Sequence, residues 1–339
     1  MILDKKFGES VEQYIARMYY VEKVKNGLTN KQVAENINLE LGTNWQESYL
    51  RGIAKRYTEG FNDGRLSNQV KFDNNVMVIN DIHAPFERLD LLDIISKHSH
   101  EIDTLVIGGD FLDCHSISSF PQIKETTLKD EVVYGYELLK KIRKILNRDQ
   151  KIIMIMGNHE KRYQTNIEKL NAKDLQTFIN PHILEMYTEG FTLYIDGKKK
   201  KYAPIEGLTY VPHWYVNIDN RIIVAHPTDF SKVPAKTATN LADFLLNQHE
   251  EFQVAVLAHT HKYSTTQLNS KQGVFVVENG CLCQSMDYAS KSGKLGYNPQ
   301  SYCYTIIRYN KNEDIDINNI KTYHLKEEEK KEETYSIEL

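Results

Sequence analysis

Across residues 76–261 the chain repeats one pattern, a short and continuous apolar run that stops abruptly at polar side chains. It recurs at 76–81 (V-M-V-I-N-D), 105–110 (L-V-I-G-G-D), 152–160 (I-I-M-I-M-G-N-H-E), 222–226 (I-I-V-A-H) and 254–261 (V-A-V-L-A-H-T-H). Runs this short, partly β-branched and closed by glycine or a polar group, predict central strands buried on both faces. Their polar residues then fall just past the sheet edge, in the crevice where open α/β sheets bind ligands.

Helical stretches at 89–98 and 128–146 alternate with the first of these runs, which predicts a layered α/β domain. Beyond Phe191 the pattern turns β-rich. Strand-like runs at 191–195, 208–216, 222–225, 254–258, 274–277 and 302–309 have few helices between them, so two stacked sheets are expected. Asp196-Gly197 predicts a tight hairpin, and the four lysines 198–201 are read as a solvated turn rather than a grip on a phosphate backbone.

The first 68 residues have a different period. Val11, Tyr14, Ile15, Met18, Val21 and Val24 mark one face of a helix ended by Gly27. Thr29 or Asn30 is expected to cap a second helix over 31–38, and Asn44 a third that carries Trp45, Tyr49, Leu50, Ile53, Ala54 and Tyr57. Three short helices suggest a helix-turn-helix-like unit, with Arg51, Lys55 and Arg56 as candidate phosphate contacts on DNA. Against that reading, residues 1–68 hold ten Lys or Arg and nine Asp or Glu, and the interval 34–42 is long for a compact turn. A helical appendage that merely packs is the alternative. Turn formers at 62–75 place the boundary near 67–73, giving a helical domain at 1–68, a catalytic domain at 69–325 and a charged tail at 326–339.

A net charge of −4 over 339 residues and a pI near 6.3 exclude global attraction to nucleic acid or anionic membrane and leave only local patches. No run approaches the roughly 20 apolar residues that span a bilayer. Cys114, Cys281, Cys283 and Cys303 lack paired zinc spacings, and the start is charged rather than signal-like, so a reduced, cytoplasmic protein is expected.

The strand ends together supply Asp81 and His83, Asp110 and Asp113, Asn158 and His159, His226, then His259 and His261. One histidine after a strand is ordinarily structural. Five such sites would bury many ionisable groups together, which is costly without a counter-charge. A dinuclear metal centre supplies that charge, since divalent ions accept mixed oxygen and nitrogen ligands and one carboxylate, best placed at Asp110, can bridge two of them. In D-x-H and H-x-H, an extended backbone around Ile82 or Thr260 would point alternate side chains the same way. His98, His100, His182, His213, His249 and His324 lack such context and are read as structural. The buried fate of Cys114, Cys281 and Cys283 is read as apolar packing.

The ordered blocks Asp81-Ile82-His83, Gly109-Asp110-Phe111-Leu112-Asp113, Gly157-Asn158-His159-Glu160, His226 and Ala258-His259-Thr260-His261 resemble the calcineurin-like metallophosphoesterases. Alanine at 258 replaces the usual glycine. The resemblance covers about residues 75–310 and implies a four-layer αββα sandwich, here with a small helical head. It implies two divalent ions, Mn²⁺ first, with Fe²⁺, Zn²⁺, Ni²⁺ or Mg²⁺ as alternatives. Asp81, His83, Asp110 and His261 would bind one, and Asp110, Asn158, His226 and His259 the other, with activated water attacking phosphorus in line. By the same analogy His159 protonates the leaving oxygen and Asp113 holds its imidazole.

Where protein Ser/Thr phosphatases of this superfamily carry an arginine after the second block, this chain has Cys114-His115, which disfavours a phosphoprotein substrate. Arg162 either replaces that arginine on phosphate or pairs with Glu160 on a helix surface. The layout also resembles bacteriophage and prophage phosphoesterases described as exonuclease-like. A metal-dependent phosphodiesterase or nuclease acting on DNA is therefore expected. A phosphatase or phosphodiesterase of small, including cyclic, nucleotides is the alternative, and a non-catalytic DNA- or partner-binding scaffold a third. Nucleic acid is the expected partner of the helical head, with no membrane; substrate contacts and oligomeric state are left open.

Overall fold

The computed structural model describes residues 4–5, 10–62, 74–118, 126–170, 179–195, 197–268, 273–284 and 300–327, apart from the side chains of 56–62. The chain forms two compact units, Met1–Lys71 and Phe72–Leu339. The expected boundary at 67–73 and the tail beyond 327 lie outside the described residues.

In the smaller unit, Ser10 opens the first helix and Thr29 the second, each through a capping box with the glutamine three residues on. Gly27 and Gly42 close them in the left-handed conformation that favours glycine. The first helix is built of Val11–Arg17, a π turn over Met18–Glu22, and Lys23–Asn26. The expected apolar face fails at that π turn. Its wider winding rotates the face, so that Tyr19 is buried while Val21 and Val24 are 53% and 78% exposed. Tyr14, Ile15, Met18, Val33, Ile37, Leu50 and Ala54 form the core of this unit.

The second helix runs over Asn30–Leu41, past the expected end at 38, so residues 34–41 are helix and not connection. The third begins at Glu47, which leaves Asn44 ahead of it and not at its cap. Asn38 does the local stapling instead: its Oδ1 accepts from Thr43 Oγ1 at 2.8 Å and from Trp45 N at 2.9 Å. Arg51 is exposed beside Glu47 at 3.6 Å, Lys55 is exposed, and the Arg56 side chain lies outside the described residues.

The larger unit contributes, in chain order, β1 (Asn74–Ile79), β2 (Thr104–Ile107), β3 (Lys151–Ile155), β4 (Phe191–Ile195), β5 (Lys198–Tyr202), β6 (Leu208–Val211), β7 (Tyr215–Ile218), β8 (Ile222–Ala225), β9 (Val254–Leu257), β10 (Ser264–Leu268), β11 (Val274–Glu278), β12 (Cys303–Tyr309) and β13 (Ile320–His324). One sheet has the order β13-β12-β1-β2-β3-β6 and the other β10-β11-β9-β8-β7. The pairs β1–β2, β2–β3 and β8–β9 are parallel, so within each sheet these strands end on one edge.

Period-two alternation sorts the buried strands into layers. Val76, Val78, Val106 and Ile155 of the first sheet meet Ile222, Val224, Val254 and Val256 of the second. Met77, Ile79, Leu105, Ile107 and Met154 face the other way, against the helices Leu91–His98 and Leu128–Ile145. Ile223, Ala225, Ala255 and Leu257 pack on the helix Lys236–Asn247. The result is a four-layer αββα sandwich. Each fully buried Val, Leu or Ile contributes about 1.5–3 kcal/mol, and that is why both faces of these runs are apolar.

The differences from expectation are local. The run 208–216 is two strands, β6 and β7, split at Pro212 between the two sheets. The helix Lys236–Asn247 covers the β-rich half and packs on the second sheet. Polar β10 and half-buried β13 were missed because they lie at sheet edges and lack an apolar run. The lysines 198–201 lie in β5, paired with β4, and not in the turn; Asp196 falls outside the described residues.

Candidate metal centre

The ends of β1, β2 and β3 and of β8 and β9 bring all nine predicted site residues into one cluster. Beyond β1 and β2 the backbone pairing continues: Ile82 N and His83 N both donate to Asp110 O, at 3.0 and 2.9 Å. The two motif loops are thereby locked together before any side chain is considered.

The extended reading of D-x-H and H-x-H is incorrect. Asp81, His83, Asp110, His259 and His261 all have positive φ, between 48° and 80°. The left-handed conformation turns the chain sharply enough that both motif side chains reach the cluster while Ile82 between them stays in the core. For non-glycine residues it costs of order 1–3 kcal/mol each, a strain that concentrates at functional sites.

Two glycines make room. A Cβ on Gly157 would sit inside the van der Waals envelope of Asp110, 2.9 Å from its Cγ. On Gly109, at φ +86°, it would lie 2.5 Å from His226 Nδ1.

His83 Nδ1 donates to Asp113 Oδ1 at 2.9 Å, and His226 Nδ1 donates to Gly108 O at 2.9 Å. These bonds fix the tautomers and turn both Nε2 lone pairs into the cluster, the arrangement by which a neighbouring acceptor orients a metal-ligating imidazole. His226 Nε2 is 3.2 Å from Asp110 Oδ2 and 3.0 Å from Asn158 Oδ1. His83 Nε2 is 3.2 Å from His261 Nε2, which is itself 3.2 Å from Asp81 Oδ1. Asp81 Oδ1 is buried without a hydrogen-bond donor. Donor atoms of Asp110, His226 and His259 form one compact group, and those of His83, Asp110 and His159 another. An orphaned carboxylate oxygen, facing imidazole nitrogens and a shared Asp110 suit divalent cations.

The electrostatics demand the same positive charge. Burial pushes Asp81 up, but His261 and His226 outweigh it and hold the carboxyl down at about 2. Asp110, despite complete burial, is held well below the usual range by His159, His226 and His83. Burial lowers His226, yet Asp110 and Asp81 lift it to about 9.

His159 sits at the first turn of the helix Asn158–Glu168. Its N–H donates to Asp110 Oδ1 at 2.9 Å, and its Nδ1 lies 2.7 Å from Asp113 O and 3.1 Å from Asp113 Oδ1. Arg162 is half-buried and turns to Asp113 and His159 rather than to Glu160. Its Nη1 donates to Asp113 O at 3.0 Å, and Nη2 is 2.9 Å from His159 Nε2.

Glu160, to which the sequence assigned only a surface pairing, is buried and caps that helix. Its two carboxylate oxygens accept from Gly157 N at 2.9 Å and Leu112 N at 2.8 Å, tying the second motif loop to the third. A second missed group is the buried trio Asn80, Asn279 and Thr305. Asn80 Nδ2 donates to Asp81 Oδ2 at 2.6 Å, its Oδ1 accepts from Asn279 Nδ2, and Thr305 Oγ1 donates to Asn279 Oδ1 at 3.0 Å. The one signal for them was asparagine interrupting an apolar strand end at 80. Cys281 and Cys283 are buried as expected, but Cys283 Sγ also lies 3.9 Å from His261 Nδ1. His98 is a satisfied core histidine, 2.7 Å from Tyr304 Oη and bonded to Glu101.

Beside Asn158 and His226 a cleft of about 740 Å³ opens between the helix Lys236–Asn247 and the segment 227–231. Among the described residues, no helix is long and apolar enough to cross a membrane.

With the cluster assembled on αββα strand ends, residues 75–263 match the calcineurin-like phosphoesterases. The chain belongs to that family and is a metal-dependent phosphoric ester hydrolase. Similar solved structures include an archaeal phosphodiesterase (13% identity, 74% of this chain and 99% of that one, TM-score 0.33). Another is a protein serine/threonine phosphatase from Saccharomyces cerevisiae (14%, 90% and 98%, TM-score 0.37). A third is zinc-complexed Vps29 from Entamoeba histolytica (13%, 74% and 98%, TM-score 0.34). No curated protein matches the chain.

Proposed function

We propose that the chain is a phosphodiesterase acting on nucleic acid, with Mn²⁺ as the preferred ion and Fe²⁺, Zn²⁺, Ni²⁺ or Mg²⁺ as substitutes. The observation that carries the reading is the cleft joined to the cluster at Asn158 and His226, which offers far more room than a phosphoryl group needs. In this reading Asp81, His83, Asp110 and His261 hold one ion, and Asp110, Asn158, His226 and His259 the other. Two divalent ions, when bound, supply a nucleophilic water at neutral pH and neutralise the phosphoryl oxygens.

The protein's own groups do the rest. Asp113 keeps the His159 Nδ1 proton in place, which leaves Nε2, here accepting from Arg162 Nη2 at 2.9 Å, as the atom that exchanges a proton with the leaving oxygen. Arg162 Nη2 converges on the same point and meets an incoming phosphoryl or leaving oxygen there. The helical unit, through Arg51 and Lys55, is the element we assign to nucleic acid, in a reduced cytoplasmic setting.

Hydrolysis of bis-p-nitrophenyl phosphate and of single- and double-stranded DNA with Mn²⁺ tests the reading. Cleavage of monoesters alone, with no DNA bound by the helical unit, overturns it. A cleft of about 740 Å³ also suits one small nucleotide, so a panel of linear and cyclic nucleotides decides between a polymer and a small-molecule substrate.

A further inference from the structure

We propose that the cleft beside Asn158 and His226 is a nucleobase subsite, which receives the base next to the scissile phosphate and stacks it against Trp214 and Phe244. The inference rests on the phosphodiesterase reading and adds what the enzyme holds beyond phosphorus.

The wall is aromatic and part of it is bare. Phe244 and Phe230 are 51% and 45% exposed, and both line the cleft. The Trp214 and Phe244 rings lie 6.2 Å apart at 50°, and Trp214 is only partly buried. Exposed aromatic faces beside a phosphate-handling centre are the means by which proteins hold unpaired bases, because every base has a stackable face.

The wall is also fixed relative to the chemistry. Trp214 O accepts from His226 N at 2.7 Å, and His213 O accepts from Met156 N at 3.2 Å, so the tryptophan is tied by backbone to the ends of β8 and β3. On the opposite side, buried Lys262 donates to Ser231 O at 3.0 Å and stands 4.3 Å over the Phe230 ring, which holds the segment 227–231 in place. Asn240, exposed on the helix that carries Phe244, offers an amide to a base edge. Lys161, one turn along from Asn158, is exposed at the mouth and brings positive charge to a flanking phosphate; Asp229 is the acidic group of the lining.

The test compares two diesters with the same leaving group on the full-length, Mn²⁺-reconstituted chain: bis-p-nitrophenyl phosphate and the p-nitrophenyl ester of thymidine 5′-phosphate. The readout is the ratio of kcat/KM for the nucleoside ester to that for the plain ester. Phe244→Ala is expected to lower this ratio about tenfold, the loss of one stacking face. An unchanged ratio, with both rates intact or both reduced equally, overturns the subsite and leaves the phosphodiesterase reading standing. A wild-type enzyme that cleaves the plain ester and ignores the nucleoside ester overturns the subsite and the nucleic-acid substrate together, and leaves only the phosphodiesterase activity. Binding is read independently of turnover in a Trp45→Phe background, where Trp214 is the remaining tryptophan. Thymidine 5′-phosphate is expected to quench its fluorescence saturably, and absence of quenching at millimolar nucleotide overturns the proposal.

Discussion

Asp113 Oδ1 accepts from His83 Nδ1 at 2.9 Å, and the same oxygen lies 3.1 Å from His159 Nδ1. One carboxylate therefore orients both a proposed metal ligand and the proposed acid. Burial pushes Asp113 up, but its bonds to His159 and His83 outweigh it and hold the carboxyl well below the usual range, so it stays ionised.

Asp113→Asn is expected to impair two functions together. Metal affinity should weaken about 10- to 100-fold, as when second partners of ligating histidines are lost, and kcat should fall further than metal loss explains. Isothermal titration with Mn²⁺, followed by rates at saturating metal, separates the two. Unchanged affinity would show that His83 does not depend on Asp113.

Gly157→Ala removes the space that Asp110 occupies. Because the collision is with backbone and a short side chain, neither able to yield, activity should drop by about 100-fold or more, and stability should fall by at least about 1–3 kcal/mol as in other overpacked cores. Rates and a melting curve check this; an active, stable variant contradicts the packing described.

Glu160→Gln keeps the shape and leaves one of the two backbone N–H groups, of Gly157 or Leu112, facing an amide N–H. The expected cost is about 1–3 kcal/mol, read by denaturant unfolding. Burial and Asp110 raise Glu160 to about 7 in the absence of ions, so the comparison is made with Mn²⁺ bound.

His226 gives the pH dependence. Its folded pKa of about 9 lies above the ordinary 6.5, so its proton stabilises the metal-free protein fully below pH 6.5. That stabilisation is lost as pH rises through 9. A metal ion must displace the same proton. The melting temperature of the apo chain should therefore fall between pH 6.5 and 9 while Mn²⁺ affinity climbs, and His226→Asn should flatten both trends. Parallel pH series of melting and metal titration provide the check.

Most of the fold was legible because its strands are buried on both faces and read as unbroken apolar runs, each closed by the residue that acts. Val76–Ile79 shows why layers could be inferred but not assigned: both faces are apolar, and only the packing distinguishes Val78, toward the second sheet, from Met77, toward the helices. The features that the sequence does not show have weaker local signals. A π turn leaves no compositional mark, so Val21 and Val24 were placed inside. Left-handed turns at Asp81, His83, His259 and His261 have no glycine to mark them, so the sequence reads as extended there. The spacing of Arg162 and Glu160 allows a surface pair as readily as a phosphate contact by Arg162, yet both are drawn inward by partners distant in sequence, Asp113 and Leu112.

The central claim is that Asp110 joins two cation sites. Metal content per chain after Mn²⁺ reconstitution, combined with anomalous diffraction at the manganese edge, tests it most directly. Two ions flanking Asp110, both lost or displaced in Asp110→Asn, are predicted; a chain that binds none, or binds its ions away from Asp110, contradicts the account.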